Sequence, residues 1–333
     1  MKKILSFDEI KNCLLGAERI WQKNGSVCAC RFTEEEQKTF GSNPDFLAKS
    51  YSNSNMIISF FTDAEKIIME YEAASASSRY FSFLDVKVDD ILVAHSGTDD
   101  VRNESSFSME LPLPGKKCKV EIFLPPLCRI AIQKLSLVNC TIFQASPRQK
   151  LIISYGDSIT QGYDAKYPIC SYTAILADTF DAELINKAIG GDIFDPVLVK
   201  NGTPGRTPDL VTVAYGTNDW ALCSQEDIPG NCENFFSALS VLYPTSPIAV
   251  ILPIWRKDHD KVTRAGDFFE HRAQIKKIAE RFSNTHIIDG LYLTPHLEEF
   301  YSDLRLHPND TGFLFMGRNL TAELLKCLPA LQN

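Results

Sequence analysis

Two textures of apolar patterning divide the 333-residue chain. The first segment, Ser6-Phe7-Asp8-Glu9, has the form of a capping box and predicts a short helix that Gly16 can close. From Ala17 to about Ala145 the chain then alternates apolar and polar residues in short runs. Met56–Phe61, Lys66–Tyr71, Tyr80–Val88, Phe107–Leu111, Lys119–Leu124 and Ile130–Leu137 are examples. Period-two runs with no long helical period between them predict an antiparallel β-sandwich. Ser146-Pro147-Arg148-Gln149 reads as a linker, which divides the chain into a β-sandwich over 1–146 and a second domain over 147–333.

Beyond Lys150 the pattern changes. Apolar strands are expected at Leu151–Ser154, Glu183–Asn186, Leu210–Tyr215, Ile248–Leu252 and His286–Ile288. Helical stretches fill the gaps: about Ser171–Phe180, Asn231–Leu242, Thr263–Phe282 and Thr311–Leu325. Continuous apolar strands alternating with amphipathic helices predict an α/β fold, a doubly wound and mostly parallel sheet covered on both faces.

Composition narrows the partners. A net charge of −8 argues against nucleic acid and anionic membrane surfaces, and no stretch approaches 18 apolar residues. Asp8, Glu9 and Lys11 interrupt what would have to be a signal-peptide core, so a cytoplasmic location is expected. The ten cysteines lack metal-type spacing and read as reduced, mostly buried thiols; neither metal nor cofactor is expected.

Four segments carry chemistry. Gly156-Asp157-Ser158 ends the first parallel strand, Asn186-Lys187-Ala188-Ile189-Gly190-Gly191-Asp192 follows the second, and Tyr215-Gly216-Thr217-Asn218-Asp219 follows the third. Asp303-Leu304-Arg305-Leu306-His307-Pro308 precedes the last helix. Taken singly, each has a plain reading as a turn, a cap or a surface imidazole. In a right-handed doubly wound sheet, however, these strand ends gather on one edge. A serine hydroxyl, glycine N–H groups, an asparagine amide and a histidine in one cleft are the components of serine acyl transfer.

On these blocks the second half resembles the SGNH (GDSL-like) hydrolases. The resemblance implies Ser158 as nucleophile, His307 as general base, and an oxyanion hole from the N–H groups of Ser158 and Gly191 and the Asn218 amide. The nucleophile elbow Gly-x-Ser-x-Gly of other hydrolases is absent, since Thr160 occupies the second glycine position. The family's aspartate usually lies three residues before the histidine, where this chain has Leu304. Either Asp303, four before, orients His307 through a longer turn, or a backbone carbonyl does so and the site is a dyad. Asp157, Trp255 and Arg256, at strand ends of the same edge, are candidate substrate contacts. The remaining histidines, His95, His259, His271, His286 and His296, are expected to be structural or solvent-exposed.

A β-sandwich before such a domain resembles the bimodular carbohydrate acetylesterases, which implies O-deacetylation of a sugar or oligosaccharide ester. The alternatives are a lipase or thioesterase acting on longer acyl chains, and a carbohydrate-binding protein with a vestigial hydrolase domain. The sequence leaves the oligomeric state open.

Overall fold

The computed structural model describes residues 2–202 and 206–332. Its first half begins β1 (Lys2–Ile4), α1 (Phe7–Cys13), β2 (Leu14–Leu15), β3 (Arg19–Lys23) and β4 (Ser26–Cys30). Two helices, α2 (Glu34–Lys38) and α3 (Pro44–Ser50), come before β5 (Ile57–Thr62), β6 (Lys66–Ser75) and β7 (Ser82–Val88). Next are β8 (Ile91–Thr98), β9 (Ser105–Pro112), β10 (Cys118–Phe123), β11 (Cys128–Val138) and β12 (Phe143–Ala145). They form two antiparallel sheets, β3-β4-β11-β6-β9 with β1 beside β11, and β12-β5-β10-β7-β8 with β2 beside β5. Strand β6 illustrates why they pack: Ile67, Met69, Tyr71 and Ala73 are buried while their neighbours are half-exposed. The buried set meets Ile58, Phe60, Val120 and Ile122 of the opposite sheet in one apolar core.

Two local expectations change. The capping box of Ser6 and Glu9 is present, but α1 ends at Cys13 and the chain passes directly into β2, before Gly16. The stretch read as all-β also holds α2 and α3. Thr33 and Glu36 form a second capping box, and Asn43 accepts from the Asp45 and Phe46 N–H groups with Pro44 at the first helical position.

The second half runs β13 (Lys150–Gly156), α4 (Ser158–Gln161), α5 (Tyr172–Thr179), β14 (Ala182–Asn186), α6 (Pro196–Lys200) and β15 (Leu210–Ala214). Then come α7 (Thr217–Leu222), α8 (Asp227–Leu242), β16 (Ile248–Ile251), and a hairpin of β17 (Val262–Thr263) and β18 (Gly266–Asp267). Last are α9 (Phe268–Ala279), β19 (Thr285–Ile288) and α10 (Asp310–Cys327). Helix α9 starts later than its apolar pattern predicts because Gly266, at φ +89°, turns the hairpin and Asp267 caps the helix. The sheet is wholly parallel in the order β14-β13-β15-β16-β19. Counting its strands along the chain, this is the flavodoxin-like order 2-1-3-4-5, with its switch point between β13 and β15. Leu151, Ile153 and Tyr155 face α8 and α9, whereas Ile152, Leu184 and Leu210 face α5 and α10. No helix among the described residues is long and apolar enough to cross a membrane. All ten cysteines are free.

The two halves meet around the loop that follows β14. Cys30, Phe32 and Phe40 join the core beneath α8, so residues of the first half cover part of the parallel sheet. Beside them Arg31 is fully buried, and its guanidinium donates to the carbonyls of Lys49, Ser52, Asn186 and Ala188 and to Ser52 Oγ. Burial lowers its pKa to about 9. Lys187, also buried, donates to Glu36 at 2.5 Å and to the Arg31 carbonyl at 2.9 Å, and pairs with Glu18 at 3.2 Å.

Removing Lys187 leaves two buried carboxylates, Glu36 and Glu18, without this cation. Lys187→Met should cost about 3–5 kcal/mol in urea unfolding, and adding Glu36→Leu should restore much of the loss. Equal stability of Lys187→Met and the parent would contradict the pairing.

Candidate active site

The serine is positioned by a strand that cannot continue. Strand β13 is buried to its end at Gly156, where an added Cβ would lie 2.2 Å from Thr160 Oγ1 and 2.9 Å from the Ala214 carbonyl. Only glycine allows that approach. Asp157 then caps α4, its carboxylate accepting the Ile159 N–H at 2.9 Å, and Ser158 becomes the first helical residue. The Ser158 N–H is thereby a first-turn amide, oriented outward beside its own hydroxyl.

His307 reaches it from a stapled loop. The Ser302 N–H donates to the His307 carbonyl, and the Asn309 N–H to that of Phe300, closing the neck. Within the loop Leu304 sits at φ +54°, in the left-handed region, and so absorbs one more residue than a three-residue spacing would hold. Asp303 Oδ1 accepts the N–H groups of Arg305, Leu306 and His307, while Oδ2 faces His307 Nδ1 at 2.8 Å. A carboxylate can only accept, so Nδ1 carries the proton and Nε2 presents a lone pair. Ser158 Oγ lies 2.9 Å from that Nε2. Burial pushes the Asp303 carboxyl upward, but the bonds from His307 and from the Leu306 backbone outweigh it and hold it well below the ordinary carboxylate range. Of the two ways of orienting the ring left open by the sequence, the geometry is that of a carboxylate.

Opposite the serine stands the glycine loop. Gly190 donates its N–H to Gln161 Oε1 at 2.7 Å and accepts from Lys49 Nζ at 2.8 Å. Gly191 is exposed at φ +95°, and Phe46 and Lys49 of α3 lie against its open face. Asn218, on the first turn of α7, gives one amide hydrogen to the Asp192 carbonyl at 2.9 Å, leaving its second. The turn before it is held from beneath. His271 donates from Nε2 to the Gly216 carbonyl at 2.8 Å, and burial pushes this imidazole down to about 4, so it stays neutral. Its structural part, expected from sequence, is therefore to fix the turn that presents Asn218.

The three substrate-contact candidates separate. Trp255 is half-buried, stacked on His296 and packed against Tyr301 beside the His307 loop. Arg256, expected to reach substrate, is instead buried. It clamps Asp258 at 2.7 and 3.1 Å, donates to the Thr217 carbonyl, and lies over the Trp220 ring. Asp157 likewise is buried and occupied as a cap. Three carboxyls lie beneath the cleft, and burial raises Asp157 and Asp192 to about 7 and Asp219 to about 6.

Sequence reading missed several residues around the site. Arg31, Lys49 and Phe46 come from the first half and carry no motif. Tyr163, whose ring stacks on His307 at 5.8 Å and fills the space a Gly190 side chain would need, lies just past the serine block. Arg79 covers that ring and pairs with Asp164.

A doubly wound sheet with a hydroxyl–imidazole–carboxylate chain at its switch point defines the class, a serine hydrolase. Residues 154–313 match the model of the GDSL-like Lipase/Acylhydrolase family. No curated protein matches the sequence significantly. Among solved structures, a salicylyl-acyltransferase from a tetracycline biosynthetic pathway is 21% identical, with 96% of this chain and 95% of that one covered at a TM-score of 0.83. A family two carbohydrate esterase from Cellvibrio japonicus is 16% identical over 99% of both chains, at 0.68. An acetyl xylan esterase from the rumen bacterium Butyrivibrio proteoclasticus is 12% identical over 99% of this chain and 98% of that one, at 0.63. These likenesses extend over both halves of the fold.

The geometry makes Asp303 the test of the His307 orientation. Asp303→Asn should lower kcat by about 10²–10⁴ with little change in KM, as expected when the ring's tautomer is no longer fixed. An unchanged kcat would mean that other groups orient the ring.

Proposed function

We propose that the protein is a serine esterase that removes O-acetyl groups from carbohydrate substrates through an acyl-enzyme on Ser158. The observation that carries this reading is the unbroken chain from Ser158 Oγ through His307 to Asp303, with Gly191 and Asn218 across the same sheet edge. Ser158 Oγ attacks the ester carbonyl as its proton passes to His307 Nε2. The N–H groups of Ser158 and Gly191 and the free amide hydrogen of Asn218 receive the oxyanion. The imidazolium then protonates the departing sugar oxygen, and water, deprotonated by the same ring, releases acetate. Asp303 keeps Nδ1 protonated throughout. Trp255 supplies an apolar wall for the sugar, and the division at 146/147 separates a sandwich unit from the catalytic unit.

Two observations favour a small acyl group on a sugar. Tyr163 stands beside Gly190, and Phe46 and Lys49 beside Gly191, a setting that favours a short acyl group over a long one. The architecture also matches, over nearly its whole length, that of carbohydrate esterases. The likeness to a salicylyl-acyltransferase favours a second reading, in which an alcohol rather than water resolves the same acyl-enzyme.

A series of p-nitrophenyl esters tests acyl size. The acetyl ester should exceed the octanoyl ester in kcat/KM by about 10²-fold or more, equivalent to ~3 kcal/mol of steric discrimination. Release of acetate from acetylated xylo-oligosaccharide should accompany it. A preference for octanoyl esters would replace the acetylesterase reading with that of a lipase.

A further inference from the structure

Away from the catalytic cleft, the outer face of the sheet β3-β4-β11-β6-β9 is hollowed into a trough of about 460 Å³. Its shape follows from the residues placed in register. Trp21 pairs with Cys28, Cys28 with Ala131, and Ala131 with Glu72, so one row across four strands runs large, small, small, large. Cys28 and Ala131 make the floor, while Trp21 on β3, Glu72 on β6, and Arg129 and Gln133 on either side of Ala131 along β11 stand around it. Trp21 packs against the core beneath α8 and carries the Arg19 guanidinium over its ring at 5.5 Å, yet it stays half-exposed and lines the trough, where Tyr51, just after α3, joins it.

The facing wall is polar and already braced. Gln133 Nε2 donates to Glu72 at 2.7 Å, and Arg129 pairs with Glu104 at 2.5 Å. These contacts use part of each group and leave Gln133 Oε1, a Glu72 oxygen and guanidinium hydrogens of Arg129 open to the trough. An aromatic wall facing fixed amide, carboxylate and guanidinium groups is the chemistry that binds a pyranose: the apolar ring face lies on the aromatic plane, and the hydroxyls meet the planar polar groups. The volume suits a short saccharide segment. Helix α3 also links the two places, since Phe46 and Lys49 face Gly191 while Tyr51, at the helix end, lines the trough.

We propose that this trough is a non-catalytic saccharide-binding site, which holds an oligosaccharide chain while the cleft acts on its ester. The proposal takes only its ligand class from the esterase reading; the ester series reports on that reading, and a signal from Trp21 reports on this one. The chain has three tryptophans, and Trp220 is buried. In full-length protein labelled with 5-fluorotryptophan, the ¹⁹F resonance lost in Trp21→Phe identifies Trp21. Titration with xylohexaose or cellohexaose should shift that resonance saturably. Glu72→Ala and Gln133→Ala should each weaken the titration about 5–10-fold, the loss of one hydrogen bond. A Trp21 resonance unmoved by either sugar while Trp255 responds would confine saccharide to the cleft and overturn the proposal. So would a titration indifferent to both wall variants, or a dimer in sedimentation that Trp21→Ala dissociates, since the face would then belong to a second copy.

Discussion

The buried guanidinium of Arg31 is the contact on which the geometry of the cleft depends. Among the described residues it has no carboxylate hydrogen-bond partner; it draws together carbonyls of residues 49, 52, 186 and 188. Those carbonyls belong to the segment around α3 and to the loop after β14, so one cation ties the first half of the chain to the glycine loop. Taking a charge out of water is costly, and such a group is stable only where its donors are satisfied. Lys187 repeats the device two residues before Ile189, with Glu36 and Glu18 as its counter-charges. Gly191 is therefore held from the sandwich side as well as from the sheet. This accounts for a catalytic edge that is finished by residues outside the catalytic half.

The cleft itself joins a rigid electrostatic frame to a small moving part. Asp157, Asp219 and His271 are buried and serve the backbone: a cap, two N–H acceptors and a donor to the Gly216 carbonyl. None of them needs to change protonation for acyl transfer. In the proposed reaction His307 Nε2 carries the proton: it takes it from Ser158 Oγ, 2.9 Å away, and passes it to the departing oxygen. Preorganised donors of this kind require no reorganisation when charge develops.

What was legible in the sequence follows how local its causes are. The strands β13 to β16 and the helices α8 and α10 are set by their own apolar period, and the sequence blocks at Gly156, Gly190, Gly216 and His307 lie where those elements end. The reach of Asp303 was open from spacing alone, because only the backbone angle at Leu304 decides it. Helices α2 and α3 carried capping signals at Thr33 and Asn43, but a short helix inside a β-rich region offers too few turns for a periodic signal. Arg31 and Lys49 were not legible as site residues: their partners lie 157 and 141 positions away, and nothing in a local pattern encodes such a meeting. Arg256 looked like a cleft residue because it follows a strand end, yet the neighbouring Asp258 and the Trp220 ring claim its side chain.

The central claim is that Ser158 is a nucleophile activated by His307. Reaction with a fluorophosphonate, followed by mass spectrometry of the digested protein, tests it most directly. One covalent adduct is expected, on the peptide containing Ser158, absent from a folded Ser158→Ala variant and slowed at least ~10²-fold in His307→Ala, which lacks the general base. No adduct, or an adduct that persists in Ser158→Ala, would contradict it.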